Sequence, residues 1–208
     1  PPASTAAAQS IQLARLENTQ APADNPEGAV VWLPNYKFHL NMAHLSDDSP
    51  RYSWDANYGG ELGIIAVGRT QLTFVANYQA VLGDEFHPFD PNQGNYTIDG
   101  VLSSRVKGFY VAGVFHHLSR HLADRAKRPP VDWNMMGGRV GRIFKSGGTD
   151  VEARADMLGA ILKTNVDYNW EMHAGVRAHH HVYGTLGLIG SAMLRQVGTN
   201  GLGNRGTQ

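Results

Sequence analysis

The 208-residue chain contains no cysteine, which excludes disulfide staples and thiolate chemistry and leaves the redox character of its compartment undetermined. It carries no surplus charge either: 18 basic against 18 acidic side chains give a formal net charge of zero, so the electrostatic footprint of a nucleic-acid binder is missing. No apolar run approaches the roughly 18 to 20 residues of a membrane helix. That last absence excludes helical spans alone, because a membrane-crossing strand needs an apolar residue only at every second position. Glycine, by contrast, is plentiful at 24 residues, and the strongly punctuated turns favour an all-β chain.

The abundant feature is alternation. Tyr52, Trp54, Ala56, Tyr58, Gly60, Leu62, Ile64 and Ala66 are interleaved with Ser53, Asp55, Asn57, Gly59, Glu61 and Gly63. Successive side chains of a strand point to opposite faces, so this segment has one greasy wall and one wet wall. Strands of soluble domains usually stop after about 5 to 6 residues, whereas a tilted membrane strand needs roughly 9 to 11. The pattern recurs. Trp32, Tyr36, Phe38, Leu40 and Met42 alternate with Asn35, Lys37, His39 and Asn41, and Leu72, Phe74, Ala76, Tyr78, Ala80 and Leu82 with Thr73, Asn77 and Gln79. Val151, Ala153, Ala155 and Met157 alternate with Glu152, Arg154 and Asp156, and Tyr168, Trp170, Met172, Ala174, Val176 and Ala178 with Asn169, Glu171, His173, Arg177 and His179. A 3.6-residue period would set these charges against apolar groups on every turn, which rules out helices for most of the chain.

The fold expected is an antiparallel up-and-down transmembrane β-barrel, with a flexible extension over residues 1–28 and the barrel over 29–208. Nine strands can be read, from Val30 to Val197, joined alternately by tight and longer connections. Short turns lie on the periplasmic side of outer-membrane barrels and longer loops outside, so odd strands rise and even strands descend. The segment from Gly198 to Gln208 then begins an external loop with no returning strand, and even strand numbers are the bacterial rule. The expectation is a barrel of about 10 to 12 strands lacking at least one C-terminal strand here, the alternatives being a different strand count or pairing supplied by another chain, with an export signal already removed or lying outside this sequence. Lys37, Asp55, Glu61, Asp99, Arg105, Lys107, Glu152, Arg154, Asp156, Glu171 and Arg177 would pair across strands inside, giving a side-chain plug rather than a pore. A soluble lipocalin-like ligand barrel is the alternative, with the apolar wall turned inward.

The chemically suggestive segment runs from Phe115 to Asp124. His117 and Ser119 lie two apart and therefore project from the apolar face shared with Phe109, Val111, Gly113 and Phe115. This arrangement resembles the His-x-Ser element of outer-membrane lipid A deacylases, barrel hydrolases with a Ser-His-Glu site on the exterior. The resemblance implies Ser119 as nucleophile and His117 as the base that takes its proton. The family's acid is a Glu on the next strand; this chain has none there, and Asp132 is the nearest substitute, with Asp124 second. A closer resemblance is to an uncharacterised group of bacterial outer-membrane barrels with a His-x-Ser-Ser-His-Leu-Gly-Asp stretch, written here His117-Leu118-Ser119-Arg120-His121-Leu122-Ala123-Asp124. Arg120 and Ala123 depart from that stretch, which implies a barrel and supplies no reaction.

His179-His180-His181 sends His179 and His181 to one side, but no further metal ligands are identifiable, and interior hydrogen bonding or interfacial packing is the simpler expectation. Asp47, Asp48, Asp84, Glu85 and Asp90 read as solvated loop acids able to bridge divalent ions to lipopolysaccharide. The function expected is structural, envelope-interacting or narrowly channel-forming, in the bacterial outer membrane. Lipid A or phospholipid acyl hydrolysis is the enzymatic alternative. No cofactor is expected, the partners are outer-membrane lipid and lipopolysaccharide, and self-association or an envelope assembly is compatible with the pattern.

Overall fold

The structure is a computed structural model that describes residues 28–46, 49–122, 131–184, 186–199 and 206–207. It is all-β, with no helix among the described residues. In chain order the strands are β1 (Val30–Trp32), β2 (Tyr36–His44), β3 (Trp54–Val67), β4 (Thr70–Gly83), β5 (Asp90–Val106), β6 (Phe109–Leu122), β7 (Val131–Ser146), β8 (Thr149–Thr164), β9 (Tyr168–Tyr183), β10 (Leu186–Thr199) and β11 (Gly206–Thr207). Both β1 and β2 pair with β3, opposite its far and near ends respectively, so they are halves of one interrupted strand. The eleven segments thus form one antiparallel up-and-down sheet of ten strands.

The interruption has a local cause. Leu33 takes a left-handed backbone (φ 50°), a conformation β-pairing cannot use, and Pro34 follows without an N–H to donate. Leu33 N–H still reaches the Ile64 carbonyl, at 3.1 Å, so both halves stay on the same edge of β3. Tight turns close β3 to β4, β5 to β6, β7 to β8 and β9 to β10, with Gly68, Gly108, Gly147, Gly148 and Gly184 at positive φ. The longer connections gather at the opposite end. There Arg51 and Glu85 form a bidentate clamp, with Nε and Nη2 donating over 3.1–3.2 Å, and this carboxylate raises the Arg51 pKa further.

Burial inverts the usual arrangement, because the polar wall is the covered one. Asp55, Asn57, Gln79 and Glu171 are 0% exposed, whereas Phe38, Leu40 and Leu188 are 77%, 80% and 64% exposed. Where β6, β7 and β8 meet, the covered face turns apolar: Val114, Leu118, Trp133, Met135 and Leu158 pack together, with Tyr168 edge-on to Trp133 at 5.1 Å.

Three alternation readings change. Ala66, expected on the greasy wall, is 1% exposed on the covered side, because a bulge between Gly63 and Ile65 adds a residue and reverses facing beyond it. Tyr168 turns inward for the same reason, at the register shift between Gly198 and Thr199. Asp90, expected as a solvated loop acid, is 2% exposed, because β5 begins there. The N-terminal extension, Asp47, Asp48 and Asp124 lie outside the described residues, apart from Gly28.

Candidate functional site

Two places carry chemistry: the covered polar wall, and a small polar group on the outer wall at the long-loop end.

Across β3, β4 and β5 the covered wall is a ladder of amides. Asp55 accepts from Asn57 Nδ2 (3.0 Å) and Gln79 Nε2 (2.9 Å), Asn77 Nδ2 donates to Asn57 (3.2 Å), and Asn95 Nδ2 donates to Gln79. His39 lies 2.7 Å from Asn77 Oδ1, tying β2 into the same row. Next along, the buried His116 Nδ1 bonds Asp99.

From β7 to β10 the wall is ionic. Arg139 grips Asp156 with Nε at 2.8 Å and Nη2 at 2.9 Å, a bidentate pair whose side chains are 2% and 1% exposed. Arg154 approaches the same carboxylate at 3.6 Å. His173 has Nδ1 3.9 Å from Asp156 and Nε2 2.7 Å from Glu171, the second approach close but not aligned as a hydrogen bond. Glu171 also accepts from Arg195, and Tyr110 O–H donates to Glu152. Strand register explains the chain of contacts, since Arg139 lies opposite Asp156, Asp156 opposite His173, and His173 opposite Arg195. Side chains directly opposite on neighbouring strands are the pairs that interact.

Of the polar residues marked in the sequence, Asp55, Glu61, Asp99, Arg154, Asp156 and Glu171 are buried on this wall. Lys37, Arg105, Glu152 and Arg177 are half-buried. Lys37 lies opposite Glu61, and Arg177 opposite Glu152. Lys107 is exposed, in the β5–β6 turn. The sequence reading left out Arg139, Arg195 and Tyr110 from this set. Counting by twos from Trp133 would have found Arg139, because both face the same way.

Free space on this wall is uneven: a cavity of about 270 Å³ lies at the tight-turn end beside Arg105, Tyr110 and Ile143, and a much smaller void lies deeper. The void bounded by Glu61, Thr73, Ser103, Tyr110 and Arg139 measures about 10 Å³, at the lower limit for a single water.

On the outer wall, His117 and Ser119 share a face with Phe109, Val111 and Phe115, as their spacing requires. They are not each other's hydrogen-bond partners. His117 Nδ1 bonds Asn134 Oδ1 at 2.8 Å, while the imidazole beside Ser119 is His121, whose Nε2 lies 3.3 Å from Ser119 Oγ. Asp132 lies directly opposite Ser119 on β7, but its carboxylate accepts from Thr164 Oγ1 at 3.3 Å. Among the described residues no carboxylate bonds either imidazole. The group also caps a row of rings: Tyr58, Tyr78, Tyr96 and His121 are spaced 5.1, 4.6 and 5.3 Å apart across β3 to β6. Near the tight turns lie a second set of exposed aromatics, Trp32, Phe109, Phe144 and Tyr183.

His180 bonds Thr149 Oγ1 at 2.8 Å, and no cluster of metal-ligand residues occurs among the described residues. Comparison with protein-family models, curated proteins and solved structures finds no match.

Proposed function

We propose that the chain is a β-barrel of the bacterial outer membrane, serving a structural or envelope-interaction role with a filled, non-conducting interior. One observation carries the reading: charges and amides are covered while large aliphatic and aromatic side chains are exposed along almost every strand. In water such a wall would far exceed the few hundred Å² of contiguous apolar surface that soluble monomers tolerate. In lipid it is what the hydrocarbon demands, and the aromatic sets at the two strand ends match the girdles of outer-membrane barrels. A soluble ligand barrel needs the opposite facing, so the same observation counts against it.

Closure follows from lipid as well, because unpaired strand edges do not survive in hydrocarbon. β11 pairs with β10 at Gln196 and Val197, and pairing of that end of the sheet with β1 and β2 would close a cylinder. The bidentate Arg139–Asp156 pair and the amide ladder, which link side chains across strands on the covered wall, favour a plug over a channel.

The test is reconstitution. In lipid vesicles the protein should resist urea extraction and migrate faster on gels before boiling than after, and in planar bilayers it should carry no ion current. Steady single-channel current would reject the plug, and full solubility without detergent would reject the membrane.

The contact between Ser119 and His121 supports a second reading, acyl-ester hydrolysis at the outer rim. Ser119 Oγ would attack the ester carbonyl as His121 takes its proton; the alcohol leaves with a proton, and water then hydrolyses the acyl-serine. Among the described residues no acid bonds His121, so this reading stands second. Fatty-acid release from lipopolysaccharide or phospholipid that Ser119→Ala abolishes would promote it.

A further inference from the structure

We infer that the outer wall over β6 to β10 holds a binding site for a phospholipid with an anionic head group, in the leaflet nearest the tight turns. The inference rests on the membrane reading above and names a lipid for one part of that wall.

The wall is not uniformly convex there. A concavity of about 660 Å³ is floored by Ala153, Ala155, Ala174 and Ala192, with Phe109 and Phe144 rising at one end. Register makes the floor continuous, since Ala155 lies opposite Ala174, while Ala153 and Ala192 both lie opposite Val176. Apolar shape alone would suit any hydrocarbon.

Charge selects the occupant. Arg142, on the same outer face and directly opposite Ala153, holds its guanidinium 5.0 Å from the centroids of both Phe109 and Phe144. It is exposed, and its described contacts are these two rings, with no carboxylate among them. Cation–ring contacts fix the guanidinium at the mouth of the concavity but leave its hydrogen-bonding edge unused. A cation on a lipid-facing strand is tolerated near the interface, and Arg142 lies close to the β7–β8 turn, not at mid-strand. Lys107 and Arg69, in the neighbouring turns, add positive potential at the same end. An apolar trough with one oriented guanidinium at its interfacial end matches an amphiphile: phosphate on Arg142, acyl chain along the alanines. The short-turn side of such barrels faces the periplasmic leaflet, where the amphiphile is phospholipid and not lipopolysaccharide.

The experiment is native mass spectrometry of the detergent-solubilised full chain, titrated with phosphatidylglycerol or phosphatidylcholine of identical acyl chains. Phosphatidylglycerol should be retained in preference, with one molecule per chain held most strongly. Arg142→Ala should lower its retention about fivefold, to the phosphatidylcholine level, the factor expected for one basic side chain at an anionic surface. Arg142→Lys should restore part of it. Ala155→Leu, which fills the trough without touching the charge, should weaken both lipids. Equal retention of the two lipids, indifference to Arg142→Ala, or a preference for added lipopolysaccharide would overturn the site. Every variant is first checked for insertion into vesicles. A chain that inserts but shows no preference defeats this inference alone, whereas a wild-type chain that does not insert defeats the membrane reading with it.

Discussion

Replacing Asp156 with asparagine should be far more damaging than removing any one of its partners. The carboxylate accepts from Arg139, at 2.8 and 2.9 Å, and is the counter-ion of Arg154, at 3.6 Å, with His173 3.9 Å away. Removing it strands two buried guanidinium groups, and breaking a buried pair from one side costs about 3–5 kcal/mol. Arg139→Met is milder, because Asp156 keeps Arg154 as a counter-charge; about 1–3 kcal/mol is expected, the cost of leaving a buried polar group short of hydrogen-bond partners. Replacing Arg139, Arg154 and Asp156 together by Met, Met and Leu should recover most of the loss, since apolar residues of similar volume often substitute for buried ion groups at no net cost. The assay is urea unfolding in lipid vesicles followed by tryptophan fluorescence, for which the buried Trp133 is a natural reporter. If Asp156→Asn costs less than about 1 kcal/mol, the figure for a water-screened pair, the interior is hydrated and the plug argument fails.

Three further outcomes follow from the same geometry. Ala155→Arg puts a charge on the exposed apolar wall and should cost about 2–4 kcal/mol in bilayers if that wall faces lipid, against a few tenths at a watery surface; the same unfolding assay reads it. Gly137→Ala would drive a Cβ to 1.9 Å from the Met157 carbonyl oxygen, where only backbone could yield, and should destabilise by at least the roughly 1–3 kcal/mol of an overpacked core. Ser119→Ala should leave vesicle insertion and unfolding midpoint unchanged, since its hydroxyl makes one exposed contact at 3.3 Å; a fall of more than about 1 kcal/mol would give Ser119 a structural role it lacks here.

The strands were legible because alternation is a property of neighbours along the chain. Tyr52 to Gly68 announced β3 within two residues at either end, and the polar identities of Asp55 and Glu61 marked the covered wall. What alternation cannot carry is register across strands. One extra residue near Ile64 turns Ala66 inward, and nothing in the local composition marks that bulge. Lateral neighbours are likewise set by strand stagger, so the sequence showed that His117 and Ser119 share a face but not that Asn134 would take His117 and leave His121 beside the serine. The apolar cluster around Met135 is hidden for another reason: the covered wall, polar in β3, turns apolar where β6, β7 and β8 meet, and no strand taken alone shows that change. Glycine and proline do not always mark a loop: Pro91 and Gly94 both lie in β5, Pro91 at the register shift beside Leu82, where an irregular ladder tolerates a missing N–H.

The account depends on which wall meets lipid, and the absence of cysteine makes this directly measurable. Single cysteines introduced in turn along β4, from Leu72 to Leu82, are labelled with a fluorophore, and the protein is inserted into vesicles carrying a quencher on the lipid acyl chains. Leu72, Phe74, Ala76, Tyr78 and Ala80 should be quenched, and Thr73, Val75, Asn77, Gln79 and Val81 spared, in strict alternation. Quenching that ignores parity, or that favours the second set, would contradict the claim that the apolar wall faces the bilayer.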